Sequence, residues 1–250
     1  IVVFGGFSCM KSKKPSKIDS RIWELDALRG FMILCVIAVH TLFDLEGIVN
    51  INYPAFYIFI RENGGILFIL LSGICATLGT KTFKRGLIVF GAGMLITAVT
   101  YGLSYFGMFS EQMIISFGIL HMLGFCMIIW PLVRKLPMWS ICIIGILIVI
   151  LGFAIEGKTS EIPFSYIVGI PSYYYAAGDY FPLVPYTGWF FIGAFAGSLL
   201  YRKKQSLCPK APKDFFLIRF LRYCGVYSLY IYLIHQPIAF GIISLISYFI

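Results

Sequence analysis

Charged side chains are scarce in this sequence. Asp, Glu, Lys and Arg together make up 12% of the 250 residues, whereas ordinary globular domains carry about 25%. So few charges cannot cover the surface of a water-soluble protein of this length. The composition therefore excludes an ordinary soluble enzyme or binding module.

The sequence also lacks the cysteine and histidine patterns of disulfide-rich and metal-binding proteins. Its seven cysteines include no CxxC pair, and its three histidines do not form HExxH or a comparable metal-binding spacing. Cysteines within apolar runs behave as small hydrophobic residues, and four of them lie there: Cys35, Cys75, Cys126 and Cys142. We therefore expect no disulfide framework and no metal site.

Long apolar runs are abundant instead. Hydrophobic residues make up 60% of the chain, and a helix needs about 20 mainly apolar residues to cross a bilayer. The predicted fold class is all-α, a polytopic integral membrane helical bundle, with a short N-terminal segment at 1–20 and a transmembrane domain at 21–250. About seven transmembrane helices are expected, at residues 27–45, 64–80, 87–107, 114–133, 138–155, 183–201 and 226–248.

The basic residues are distributed unevenly between the two sides of this predicted bundle. Of the 20 Lys and Arg residues, 17 precede the first span or lie in the second, fourth and sixth connections. Because basic residues concentrate in cytoplasmic loops, this distribution predicts a cytoplasmic N-terminus. Topology thus explains the net charge of +9, and we expect the lipid bilayer, not nucleic acid, as the partner.

The longest outer connection, at about 156–182, is rich in tyrosine, proline and glycine. It includes the stretch IPFSYIVGIPSYYYAAGDYF. Long loops of this kind are more often functional than idle. The tyrosines fit either an aromatic belt at the membrane surface or a sugar-binding surface, and a re-entrant or interfacial helix is possible over 164–177.

One face of the first predicted helix carries four polar side chains. In LDALRGFMILCVIAVH, Arg29 and His40 are eleven residues apart, which places them within about 20° of one helix face. Asp44 follows His40 by four residues, and Asp26 precedes Arg29 by three, so both can join this stripe. Ionisable groups are costly within a bilayer, so the stripe indicates a functional site.

Each of these residues has a structural and a functional interpretation. Arg29 could extend to lipid headgroups, or its planar guanidinium could bind phosphates. His40 could be an interhelical hydrogen-bonding residue, or it could take a proton from a nucleophile while Asp44 orients its ring. His121 and His235 also fall within apolar spans, which favours a polar cavity shared by all three histidines.

Five segments resemble one known family. LDALRGFMILCVIAVH, FILLSGI, ISFGILHMLG, DYFPLVPYTGWFFIGAFAG and YSLYIYLIHQP, over about residues 21–245, resemble in order the blocks of bacterial proteins of the heparan-alpha-glucosaminide N-acetyltransferase catalytic-domain family. The spacing from Arg29 to His40 and the YLIHQP segment also resemble the wider superfamily of transmembrane acyltransferases that O-acetylate cell-surface glycans.

This resemblance implies an enzyme that transfers acetyl groups. The donor would be cytoplasmic acetyl-CoA, and the acceptor a sugar amine or hydroxyl of a glycan on the outer side of a bacterial cytoplasmic (inner) membrane. His40 matches the presumed catalytic base and Arg29 the arginine of the same motif. Three further residues match polar positions of the other blocks and are expected to support the substrate site: His121, Asp179 and His235.

Two other functions compete with acetyl transfer. In a transporter or flippase, the polar stripe would be a proton or substrate path through the bundle, although no inverted repeat is visible in the sequence. In a non-catalytic subunit of a glycan-modifying complex, the stripe would be structural. The sequence leaves open the acceptor, the choice between N- and O-acetylation, and the oligomeric state.

Overall fold

A computed structural model of the protein describes residues 21–46, 53–108, 110–175, 177–211 and 215–249. The predicted N-terminal segment at 1–20 lies outside these ranges. The regular structure within them is entirely helical. The helices are α1 (Trp23–Glu46), α2 (Ala55–Leu78), α3 (Thr82–Tyr105), α4 (Ile119–Val133), α5 (Met138–Ile155), α6 (Ser165–Val168), α7 (Leu183–Leu200), α8 (Phe216–Val226) and α9 (Ser228–Phe249), with one 3-10 turn at Glu111–Met113.

Several of these helices can cross a membrane. Among the described residues, α1, α2, α3, α5 and α7 are long and apolar enough to do so. A further candidate is α8 together with the first half of α9, which meet at an angle of 85°. The apolar helix α4 has 15 residues. Each of the seven predicted spans thus falls on a helix, and the chain is a multi-pass membrane protein with an all-α bundle.

Several boundaries differ from those predicted. Helices α1 and α3 begin at Trp23 and Thr82, before the predicted residues 27 and 87. Helix α2 begins at Ala55, well before residue 64, because its polar residues Arg61 and Glu62 are exposed and do not interrupt it. Helix α4 begins at Ile119 and not at 114, since the chain before it is extended. The helix proposed over 164–177 is reduced to the short α6, which ends at Gly169 in a left-handed conformation (φ 118°).

Glycines allow two helix pairs to pack with their backbones in contact. Gly30 of α1 faces the backbone of Leu221, and Gly225 of α8 faces that of Asp26; a Cβ atom on either glycine would overlap a carbonyl oxygen. Gly193 of α7 lies equally close to the backbone of α2. These contacts fix the distance between the helices more tightly than side-chain packing does.

The most deeply buried residues lie where α2, α4, α5 and α7 meet. Their apolar core includes the fully buried side chains Ile69, Trp130, Ile141 and Phe190. Helix α1 packs beside this core against α2, α8 and α9, while α3 packs mainly against α4. The space enclosed by α1 to α4 and the joint of α8 and α9 contains the candidate site.

Candidate active site

A cavity of about 460 Å³ lies between α1, α2, α3, α4 and the joint of α8 and α9. Its volume is typical of small-molecule sites. Apolar side chains form most of its wall, and Arg29, Ile33 and Val36 of α1 contribute at helical spacing. The side of α1 that carries Arg29 therefore faces the interior of the bundle, as the stripe of polar residues predicts.

Three guanidinium groups and one carboxylate form the basic end of this cavity. Arg21 donates two hydrogen bonds of 2.7 Å to the carboxylate of Asp26, and Arg29 Nη1 lies 3.4 Å from the same group. Asp26 is 2% exposed and Arg29 9% exposed, so this ion pair is buried. The hydrogen bonds to Asp26 raise the pKa of Arg21, which keeps its charge fixed.

Arg85, in the first turn of α3, also lines this end of the cavity. It experiences electrostatic repulsion from Arg29 and Arg21, offset only in part by Asp26. Among the described residues, no ion-pair partner of its own is seen. With three positive groups and one negative group, the basic end carries an excess of two positive charges and is suited to an anion.

His40 lies one helical turn beyond Val36 on the same side of α1. Its ring is partly buried and lies against that of His235, with 5.4 Å between the ring centroids. The structure thus brings together two histidines that come from opposite ends of the chain. The side chain of Asp44 lies outside the described part of the structure, so its contact with His40 stays a prediction.

Tyr232 connects this histidine pair to the cavity and to Asp179. Its side chain lines the cavity, and its ring centroid lies 5.3 Å from that of His235. The carbonyl oxygen of Tyr232 accepts a hydrogen bond of 2.6 Å from His235 Nδ1. Because a carbonyl can only accept, the proton lies on Nδ1 and the lone pair of neutral His235 on Nε2. The Tyr232 hydroxyl lies 3.3 Å from Asp179 Oδ2.

Asp179 is anchored at the N-terminus of α4. Its Oδ2 accepts a hydrogen bond of 3.0 Å from the backbone N–H of Ile119, a position that favours a carboxylate. Gly118 leaves room for it, because a Cβ atom there would overlap the carboxylate. Burial nevertheless raises the pKa of Asp179 to about 6, while the hydrogen bonds from Ile119 and Tyr232 lower it.

His121 occupies a different environment from the other two histidines. It is 2% exposed, and its Nδ1 accepts a hydrogen bond of 3.2 Å from the N–H of Gly118, just before α4. Its Nε2 lies 3.3 Å from the Thr97 hydroxyl, which itself donates to the Ile115 carbonyl. Both ring nitrogens are therefore occupied, and the ring contacts α3 at Gly93. The geometry suits a structural residue that caps α4.

Sequence reasoning did not assign Arg21, Arg85 or Tyr232 to the site. For Arg21 and Arg85 the sequence predicts only a contribution to membrane topology, because their spacing does not indicate that the starts of α1 and α3 lie close together. Tyr232 had a detectable signal: it precedes His235 by three residues on a helix and so shares its face.

The tyrosines of the long loop between α5 and α7 divide into two groups. Tyr166 and Tyr175 stack with their centroids 5.0 Å apart, and the Tyr180 hydroxyl donates to the Tyr166 carbonyl at 2.7 Å. Tyr173 and Tyr174 are exposed. In the packed group, Tyr180 directly follows Asp179 in sequence, and Tyr166 and Tyr175 border a second groove of about 320 Å³.

The described residues contain no group of three or more His, Cys, Asp or Glu side chains that could hold a metal ion.

No curated protein and no solved structure matches the chain. Residues 21–237 match the family described as heparan-alpha-glucosaminide N-acetyltransferase, catalytic. This match covers most of the chain and includes every helix that lines the cavity. The chain therefore belongs to the heparan-alpha-glucosaminide N-acetyltransferase catalytic-domain family of membrane acyltransferases.

Proposed function

We propose that the protein transfers an acetyl group from acetyl-CoA to an amine or hydroxyl of a sugar on the other side of a bacterial cytoplasmic membrane. One observation carries this proposal: a single cavity extends from the arginine cluster to Tyr232, beside the His40–His235 pair. The distribution of basic residues supports a cytoplasmic location for the arginine end.

The basic end suits the phosphates of CoA. Guanidinium groups bind phosphate oxygens in pairs of charge-assisted hydrogen bonds, and Arg29 and Arg85 both face the cavity. The apolar middle of the cavity suits the flexible pantetheine arm. Bound in this way, the donor would point its thioester away from the arginines and toward Tyr232.

The histidine pair supplies a proton acceptor. In direct transfer, His40 takes a proton from the acceptor amine or hydroxyl, whose nitrogen or oxygen forms a bond to the acetyl carbon. The C–S bond then breaks, and the CoA thiolate receives the proton from the imidazolium. In the alternative route, a nitrogen of His40 bonds to the acetyl carbon as the C–S bond breaks and the CoA thiolate leaves. The acceptor nitrogen or oxygen then attacks the acetyl-His40 carbonyl, and the N–C bond to the imidazole breaks. Both routes require the thioester to reach His40, one helical turn beyond the lining residue Val36.

The acceptor would approach from the side of the outer loop. Asp179 and the packed tyrosines lie there, and a carboxylate can hold the ammonium group of an amino sugar before it loses its proton. The family description names a glucosaminide, which favours glucosamine as the first acceptor to test. The family match does not favour a transporter or flippase.

The test uses the purified full chain in lipid nanodiscs with acetyl-CoA and either glucosamine or glucose. We expect acetyl-CoA to raise the melting temperature and mass spectrometry to detect acetylated glucosamine. Stabilisation without any acetylated sugar would show a donor-binding protein that lacks the proposed activity. Absence of both would refute the proposal.

A further inference from the structure

Tyr232 lines the cavity, whereas His40 and His235 are not among its lining residues. Among the described residues that line the cavity, it is the one that also contacts both His235 and Asp179. His40 and His235 lie about one helical turn beyond the lining residues Val36 and Tyr232. A thioester at this end of the cavity would therefore meet the Tyr232 hydroxyl before it meets an imidazole.

The hydroxyl of Tyr232 is weakly held. Its distance of 3.3 Å to Asp179 Oδ2 is long for an O–H···O hydrogen bond, which is usually about 2.7 Å. A strong bond from a phenol to a carboxylate would be shorter still. The O–H group can therefore turn toward another acceptor at little cost, while Ile119 keeps the carboxylate in place.

We propose that Tyr232 is a catalytic residue that donates its phenolic O–H to the carbonyl oxygen of the bound thioester. This inference rests on the proposed acetyl transfer. When the acceptor nitrogen or oxygen bonds to the acetyl carbon, negative charge develops on the carbonyl oxygen, and the Tyr232 O–H stabilises it without giving up its proton. As the C–S bond breaks, the electron pair on this oxygen re-forms the C=O bond and the charge leaves with the CoA thiolate. The acceptor's proton goes to the imidazole, and the imidazolium then gives it to the thiolate.

The position of Tyr232 suits this role because the oxyanion donor and the proton acceptor must lie near the same carbon atom. The Tyr232 and His235 rings lie side by side on one face of α9, and His40 follows across from α1. Tyr227, five residues earlier, is 45% exposed and is not among the residues that line the cavity. It offers a matched control that carries the same hydroxyl.

The experiment compares Tyr232→Phe and Tyr227→Phe with the wild type, using acetyl-CoA and glucosamine. We expect Tyr232→Phe to lower kcat about 100-fold, the usual effect of removing one oxyanion donor, with stabilisation by adenosine 3′,5′-bisphosphate unchanged. Tyr227→Phe should stay within about twofold of the wild type. Equal kcat values for Tyr232→Phe and the wild type, or equal losses in both variants, would overturn the inference while leaving the acetyl transfer intact.

A spectroscopic measurement separates this role from a structural one. Acetyl-CoA labelled with ¹³C at the carbonyl, bound without acceptor, should show a lower C=O stretching frequency in the wild type than in Tyr232→Phe. The same frequency in both proteins would mean that the hydroxyl does not touch the carbonyl, and the inference fails. A wild type that binds the labelled donor but never acetylates glucosamine would refute the proposed function. The catalytic role of Tyr232, which rests on that function, would then be refuted too.

Discussion

The imidazole rings of His40 and His235 lie 5.4 Å apart, centroid to centroid, although they belong to α1 and α9, the first and last helices of the described chain. Arg29 lies on the wall of the adjoining cavity, on the same side of α1 as His40. The geometry supports a path from a basic donor end to a histidine pair, and each end of that path can be tested separately.

Replacement of His40 should stop acetyl transfer without preventing folding. We expect His40→Ala to lower the rate by about 10²- to 10⁴-fold, the range for loss of a general base, in a protein that still inserts and binds acetyl-CoA. Thr41→Ala, at the next position of α1, is the matched control and should keep its activity. Full activity of His40→Ala would exclude His40 as base and as acetyl carrier.

Replacement of His121 should affect stability more than catalysis. Both of its ring nitrogens bond to groups at the start of α4 or in α3, so His121→Ala leaves a buried N–H without its acceptor, at a cost of about 1–3 kcal/mol. We expect a lower melting temperature and a kcat within about threefold of the wild type at a temperature where the variant is folded. A large loss of kcat in folded protein would instead place His121 in the reaction.

Replacement of Arg85 should weaken binding of the phosphates. We expect Arg85→Gln to weaken the binding of adenosine 3′,5′-bisphosphate by about 10-fold or more, since a hydrogen bond to a charged group contributes about 1.5–3 kcal/mol. Titration calorimetry on the nanodisc protein would measure this change. Lys84→Gln removes the same charge from an exposed neighbour that does not line the cavity, and it should bind like the wild type. Equal weakening in both variants would indicate a general charge effect.

Asp179 should make the stability of the protein depend on pH. Its pKa is raised to about 6 in the folded state, whereas the unfolded chain releases this proton near pH 4. The stabilising contribution of the protonated carboxyl is therefore complete below about pH 4 and is lost as the pH rises through about 6.

We expect the melting temperature of the wild type to fall by roughly 4–8 °C more than that of Asp179→Asn between pH 4.5 and pH 7, for a contribution of about 2 kcal/mol. Glu111→Gln, at an exposed acid of the connection between α3 and α4, should follow the wild type. Identical pH profiles for the wild type and Asp179→Asn would show that burial does not perturb this carboxyl.

Much of the fold was predictable because the bilayer imposes a simple rule on sequence. Every predicted span overlaps a helix, since a backbone in hydrocarbon must satisfy its own hydrogen bonds, and among the described residues five or six of the spans are long and apolar enough to cross a membrane. The helical spacing of the polar and apolar residues of α1 also predicts that the Arg29 side chain faces the interior of the bundle, where it lines the cavity. The orientation of the bundle in the membrane stays a prediction.

The parts that could not be predicted depend on how distant segments meet. The sequence contains the tyrosine three residues before His235, but only the packing of α9 against the loop before α7 brings it to Asp179. Likewise, three intramembrane histidines suggested one shared cavity. None of the three is among the residues that line the cavity. His40 and His235 lie together beyond Tyr232, and the Nδ1 of His121 accepts a hydrogen bond just before α4.

The contact between Gly30 and Gly225 has a mechanical consequence. With no side chain between the backbones of α1 and α8, either helix would break this contact if it slid or rotated alone, so we expect the two to move together. Any widening of the basic end of the cavity would then require movement of α3, which carries Arg85 on another wall.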